Sequence, residues 1–319
     1  MNSGRICPLN YRYSPAVFSQ AATIRAESIY VIGGLYGNQS ALAAIRLLAA
    51  NERITPTLIF NGDFNWFNVN PHQFEAINTE VLKHIALRGN VETELASLND
   101  DGCGCAYPET VDDADVARSN EIMTRLRHTA RQFPPLVDTL SALPMTAVAE
   151  IGEARIGIVH GDAESLAGWR FAHDALHEAH NQAWLADVCR DNRLNGFASS
   201  HTCLPTFRRF GQGANRHFVI NNGAAGMPNF GGTAYGLITR ISIHAAPEGL
   251  AQYGEAMNGI HIDAIPVHYA QDAFIKTFLR DWPDGSSAHT SYYGRITQGP
   301  DYASPHALGL VRSATQSCS

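Results

Sequence analysis

Five short apolar runs in this chain each stop at a polar turn loosened by glycine or serine, and this repetition limits the fold more than any other feature. The runs are 28–32 (SIYVI), 57–60 (TLIF), 85–87, 155–159 and 196–198. The turns after them are Gly33-Gly34-Leu35-Tyr36-Gly37-Asn38, Asn61-Gly62-Asp63, Gly89-Asn90, His160-Gly161-Asp162 and Ser200-His201-Thr202-Cys203. Helical patterns at 40–50, with Leu42, Ile45 and Leu48 as the apolar stripe, and at 73–83 separate the first three runs. Strand, glycine turn, helix, strand is the pattern of α/β crossovers. Such folds build ligand sites where their strands end.

The remaining chain is organised around that rhythm. Residues 99–109 (NDDGCGCAYPE) read as a loop, and 115–131 as a helix stopped by Pro134 and Pro135. Strands are expected at 146–150, 216–221 and 235–244, a long helix at 164–190 and another at 270–281, followed by an irregular tail. This gives an N-terminal arm (1–27), an α/β domain (28–267) with a helical insert at about 99–135, and an extension (268–319) packed on the same domain. With 319 residues, 45% of them hydrophobic and 17% charged, the chain has a globular composition and enough length to bury a core. A net charge of −7 disfavours nucleic acid or an acidic membrane as a partner. Six cysteines are too few for a disulfide framework. The start of the chain lacks a signal-peptide pattern, and no run reaches the roughly 20 apolar residues of a membrane span. A soluble cytoplasmic protein is expected; its oligomeric state is left open.

Asp63, Asn90, His160 and His201 offer a carboxylate, a carboxamide and two imidazoles at successive strand ends. That donor set suits one divalent transition metal, namely Mn, Fe, Ni, Co or Zn. Taken singly, each residue reads as an ordinary turn or surface group. In order, the segments YVIGGLYGN, IFNGDFNWF, ALRGNVETEL, IGIVHGD and GFASSHTCLP resemble the calcineurin-like metallophosphoesterase superfamily. Its pattern is Asp-x-His, Gly-Asp-x-x-Asp, Gly-Asn-His-Asp or Glu, a single His, then Gly-His-x-His. VINNGAAGMP and the segment 135–144 (PLVDTLSALP) extend the resemblance, which covers 28–243. It implies a two-sheet αββα sandwich and a hydrolase of small phosphate esters.

The departures from that pattern carry as much information. In the family two metals share a bridging aspartate, which falls on Asp63. The other ligands of the first metal fall on Gly34, Tyr36 and Cys203, where Asp, His and His are expected. Those of the second fall on Asn90, His160 and His201, all of the expected type. One ion is therefore expected. The family's histidine after Gly-Asn is Val91, which cannot donate or accept a proton. Asp162 and Tyr36 are the candidate catalytic groups. Asn65 and Glu92 are further candidates for the missing acid, with helix capping or ligand orientation favoured for both, and Asn65 is also expected to contact substrate. Arg295, in the segment Ser291-Tyr292-Tyr293-Gly294-Arg295, is expected either to reach an anionic substrate from a loop or to sit in a packing tail. Cys203 with Cys103 and Cys105 offers a thiolate site for a second ion, although small buried cysteines are favoured. His173, His177 and His180 share one face of the expected long helix, where a solvated stripe is favoured over a metal site. The alternatives to a phosphoesterase are a mononuclear metalloenzyme of another reaction class and a non-catalytic binding scaffold.

Overall fold

The apolar runs pair into two six-stranded sheets in the computed structural model, which describes residues 3–97, 102–211, 213 and 216–311. One sheet has the spatial order β1 (Ile24–Ala26), β5 (Thr146–Ile151), β6 (Ala154–Val159), β7 (Gly196–Ser199), β9 (His217–Asn221), β8 (Thr206–Phe210). The other has the order β11 (Tyr253–Met257), β12 (Ile260–His268), β10 (Tyr235–Ser242), β2 (Ser28–Ile32), β3 (Thr57–Asn61), β4 (Ile85–Leu87). Strands β2, β3 and β4 are parallel, with Ile32 beside Phe60 and Asn61 beside Leu87. Strands β6, β7 and β9 are also parallel, with Ile158 beside Ala198 and Ser199 beside Asn221. The polar turns leave the carboxyl ends of these two parallel blocks.

Side chains alternate between two buried faces. Val31, Ile59 and Ile241 meet Ile156, Ile158 and Ile220 in an apolar layer between the sheets. Tyr30, Ile32 and Phe60 turn the other way, under α1 (Gln39–Asn51) and α2 (Pro71–Val81). On the far side Phe197 and Val219 lie under α6 (Ala179–Asp191). Covering on both faces explains why β2 is buried at all five positions. Each fully buried isoleucine contributes about 1.5–3 kcal/mol, which chain entropy largely offsets. The result is an αββα sandwich.

Two expectations need correction, the long helix and the irregular tail. The long helix over 164–190 is a compact turn, a 3₁₀ turn at Ala175–His177 and then α6. The Asp162 carboxylate accepts from the amides of Glu164 (2.9 Å), Ser165 (3.0 Å) and Arg170 (3.2 Å), winding the chain against helical geometry. The irregular tail is helical, with α8 (Ser287–Gln298) and α9 (Ser304–Ala307) after α7 (Gln271–Asp281). The composition of α8, SAHTSYYGRITQ, is poor in helix formers, and burial of Ala288, Tyr292 and Ile296 decides its structure. As expected, α4 (Asp113–Ala130) ends before Pro134, and the segment whose resemblance implied a helix forms α5 (Pro134–Ser141), opened by that proline. The N-terminal arm is tied in by β1 and by the fully buried Tyr11 and Phe18. Residues 99–101 of the expected loop and 312–319 of the tail lie outside the described residues. No described helix is long and apolar enough to cross a membrane.

Candidate metal centre

Gly62 (φ +82°) and Asp63 (φ +53°) take left-handed backbone conformations where β3 ends. A Cβ on Gly62 would stand 2.6 Å from Gly89 Cα and 2.6 Å from His160 Nδ1, so glycine is what lets three turns close on one another. Glu92 on α3 (Asn90–Ala96) ties two of them together. Its buried carboxylate accepts from Asp63 N (2.8 Å), Phe64 N (3.1 Å) and Gly89 N (3.0 Å). Burial and the charge of Asp63 push this carboxyl up to about 7.

Four side chains then converge on one point. Around His160 Nε2 stand Asn90 Oδ1 at 3.1 Å, His201 Nδ1 at 3.1 Å and Asp63 Oδ2 at 3.3 Å. Their outer atoms fix which lone pairs face inward. His160 Nδ1 lies 2.8 Å from the Asn61 carbonyl, and His201 Nε2 lies 3.0 Å from the Cys105 carbonyl. A carbonyl only accepts, so both of those nitrogens carry a proton, and in the neutral imidazoles the inner nitrogens are left as acceptors. Asn90 Nδ2 donates to the Cys103 carbonyl at 2.9 Å, which turns Oδ1 inward. Four acceptors therefore face each other, and donors bound to one ion stand about 3.0–3.4 Å apart for metal–ligand distances of 2.1 Å. The residues fit a divalent cation.

The charges of the cluster are coupled. Burial opposes charge on His160, yet Asp63 outweighs it and raises the imidazole above its ordinary value. Burial likewise works to raise Asp63, but His160 holds its carboxyl below the usual range. His201 is pushed down to about 3 by burial and by His160. Among the described residues, Asp63, His160 and His201 are the one group of three or more His, Cys, Asp or Glu donors within 4.8 Å of one another. Cys103, Cys105 and Cys203 form no such group; Cys103 and Cys105 are buried, as the favoured reading has them, and Cys203 is partly buried.

The centre opens into a small cavity floored by Asp63, Asn90 and His201 and walled by Tyr36, Val91, Cys105 and Cys203. Trp66, Tyr107, Trp169 and Tyr292 also line it, and its interior of about 20 Å³ has room for one water. Trp169 meets His201 edge-on at 5.4 Å, and its Nε1 donates to the Cys105 carbonyl at 3.0 Å. These aromatic rings come from four separate loops and helices, so no single stretch of sequence announces them.

Other expected site residues have different surroundings. Tyr36 lines the cavity, its Oη 3.2 Å from Cys203 Sγ. Asp162 does not line it; its carboxylate organises the 162–170 turn. Asn65 is fully buried, exchanging amide hydrogen bonds with Asn78 at 2.9 Å and donating to Glu92 at 3.3 Å. Arg295 sits on α8 rather than a loop and donates to the carbonyls of Cys203 (2.7 Å) and Pro228 (3.3 Å), bracing the last turn. His173, His177 and His180 do not share a helix. His173 is buried against Tyr302, and His177 Nε2 lies 3.3 Å from Arg208.

Fold and centre together define an αββα sandwich with donors for a divalent ion where its parallel strands end. No protein-family model matches the sequence, and no curated protein matches it. Two solved structures share its architecture. A metallophosphoesterase from Sphaerobacter thermophilus aligns over 86% of this chain and 100% of its own, at 14% identity and a TM-score of 0.52. A hypothetical protein from Pyrococcus horikoshii OT3 aligns over 86% and 99%, at 13% identity and a TM-score of 0.56. At such identity the likeness is one of fold: this chain has the metallophosphoesterase fold.

Proposed function

We propose that this protein is a metal-dependent hydrolase of small phosphate esters, using one divalent ion held by Asp63, Asn90, His160 and His201. The observation that carries this reading is the convergence of Asn90 Oδ1, His201 Nδ1 and Asp63 Oδ2 within 3.1–3.3 Å of His160 Nε2, with an N–H of each imidazole turned outward onto a carbonyl. The ion, when bound, stabilises charge on a phosphoryl oxygen and lowers the pKa of a water. Asp63 supplies the anionic ligand, while Glu92 holds the Asp63 and Gly89 turns in register. Tyr36 is one of three tyrosines lining the cavity, with Tyr107 and Tyr292, and burial, followed by Cys203, keeps its phenol protonated. It can therefore donate at Oη, whereas Val91 beside it cannot. No lysine or arginine among the described residues lines the cavity. That favours an ester of low charge.

A mononuclear metalloenzyme of another class is the second reading, because two histidines and one carboxylate on a single ion also serve non-phosphate chemistry. One experiment separates the two. The protein is purified without added metal, its metal content is measured, and turnover of a bis-aryl phosphate is followed. Full occupancy with no turnover, in the wild type and in Val91→His, would remove phosphate hydrolysis and leave the second reading.

A further inference from the structure

Two of the four inward-facing donors are aimed by main-chain carbonyls of one short segment. The Cys103 carbonyl takes Asn90 Nδ2 at 2.9 Å, and the Cys105 carbonyl takes His201 Nε2 at 3.0 Å. Between them lies Gly104 at φ +66°, a left-handed residue that sets the two carbonyls at their angle to one another. Gly104 rests directly on a buried pair. A Cβ there would stand 2.3 Å from Tyr11 Oη and 2.8 Å from Glu94 Cγ. Tyr11 Oη donates to Glu94 Oε1 at 2.6 Å, and Arg127 Nη2 donates to Glu94 Oε2 at 2.6 Å. Arg127 also reaches the Gly102 carbonyl at 3.1 Å, while Cys103 N donates to Asn120 Oδ1 at 3.0 Å. Glu94 follows the ligand Asn90 by one helical turn on α3, so both ends of the arrangement share one rigid element.

We infer that Glu94, Tyr11 and Arg127 are positioning residues for the metal centre. They clamp the 102–105 segment so that its carbonyls fix the amide orientation of Asn90 and the tautomer of His201. The N-terminal arm supplies Tyr11 and the helical insert supplies Arg127, so two segments outside the α/β core set the centre's affinity. Cys103 acts here through its carbonyl oxygen; Cys105 acts through its carbonyl oxygen and through Sγ, which accepts from Asn90 Nδ2 at 3.5 Å. Losing such an outer hydrogen bond typically lowers metal affinity about 10–100-fold.

This inference rests on the metal-binding part of the proposed function, and cobalt(II) binding to the full chain tests it. Affinity is read by calorimetry and ligand geometry by the visible absorption of the ion, with thermal unfolding as the check on folding. Tyr11→Phe keeps the ring and removes the hydroxyl. It should weaken cobalt binding about tenfold and broaden or shift the absorption, with cooperative unfolding retained. Arg127→Gln should do the same and Arg127→Lys should recover part of the loss, whereas Cys103→Ser should bind as the wild type does. No sulfur-to-cobalt charge-transfer band should be present. Unchanged affinity and spectrum in both Tyr11→Phe and Arg127→Gln would overturn the clamp. So would a charge-transfer band in the wild type, which would make a thiol the ligand. A wild type that takes up no cobalt, nor any of the other divalent ions, would sink the metal-binding reading itself. Should Arg127→Gln fail to fold, Tyr11→Phe alone decides.

Discussion

The phenol of Tyr36 fills the space in front of Gly34: a Cβ on that glycine would meet Tyr36 Cζ at 2.9 Å and Oη at 3.0 Å. A carboxylate at position 34 therefore has no room while the tyrosine keeps this rotamer. The two substitutions relative to the family pattern are one packing solution, in which an aromatic ring occupies what the resemblance treats as ligand space.

Elemental analysis should accordingly return one ion per chain. Two ions would show that Tyr36 swings out and that Cys203 or another group coordinates. His201→Ala should release the ion, since it removes a donor 3.1 Å from His160 Nε2. A variant that keeps full occupancy would remove His201 from the centre.

Gly89 offers a sharper probe than deleting a ligand. Its φ of −96° suits any residue, yet a Cβ would stand 2.4 Å from Asp63 Oδ1 and 3.0 Å from His160 Cε1. Gly89→Ala should displace the Asp63 carboxylate and lower metal affinity by at least about tenfold. Calorimetric titration beside thermal unfolding checks this, and an affinity equal to the wild type's would show that Asp63 is not a ligand.

Val91 leaves the cavity without an imidazole besides that of His201 in the metal centre, and general acid help is typically worth about 10²–10⁴-fold. Wild-type activity should be weak on aryl phosphodiesters, whose leaving groups need no proton, and lower still on alkyl esters. Val91→His should help modestly, because the new ring enters a site already 99% enclosed and must find its own partner. Rates on paired aryl and alkyl esters measure both effects. Equal activity on both esters in the wild type would point to a proton donor already in place, with Tyr36 the first candidate.

Acidification should destabilise the metal-free protein. Burial lowers the pKa of His173, which faces Tyr302 and has Asp174, Arg208, His177 and His306 around it. The unfolded chain takes this proton near pH 6.5 and the folded chain only at lower pH, so the unfolded state binds more protons and stability falls as pH drops below 6.5. The loss is at most about 1.4 kcal/mol per pH unit for one such group. His201, held near 3, acts in the same direction, and the raised His160 opposes it. Urea midpoints at pH 7.0 and 5.5 should differ less in His173→Gln than in the wild type; an unchanged difference would remove His173 as a contributor.

Arg240 on β10 is buried between Glu52 at 2.6 Å and Asp263 at 3.0 Å. Arg240→Met leaves two carboxylates without their cation and should cost about 3–5 kcal/mol in urea denaturation. A loss under 1 kcal/mol would mean that water or Tyr30, which donates to Glu52 at 2.8 Å, already satisfies them.

The strands that frame the centre were legible because their whole signal is local. In 28–32 and 57–60, β-branched and aromatic residues run unbroken to a glycine turn, and a parallel strand buried on both faces requires just that pattern. The 164–190 segment misled for an equally physical reason. Its helical periodicity competes with the Asp162 carboxylate, whose three backbone hydrogen bonds are invisible until the turn exists. β8, β11 and β12 were not foreseen, since their residues alternate polar with apolar or carry Pro266, and pairing partners distant in sequence decide them.

By itself the sequence determined the parallel blocks, the glycine turns and the residue types available where the strands end. It could supply those because strand burial and turn conformation are set within a few residues. Only the tertiary structure decided which donors face one another, which carbonyls turn Asn90 and His201 inward, and that Tyr36 fills the space before Gly34. It also decided that Asp162, Asn65 and Arg295 bind the chain's own backbone and side chains. The convergence of the donors, and of the carbonyls that aim them, depends on groups 13 to 99 residues apart coming within about 3 Å of one another, the range over which hydrogen bonds and metal ligation act. Spacing along the chain carries no record of that proximity.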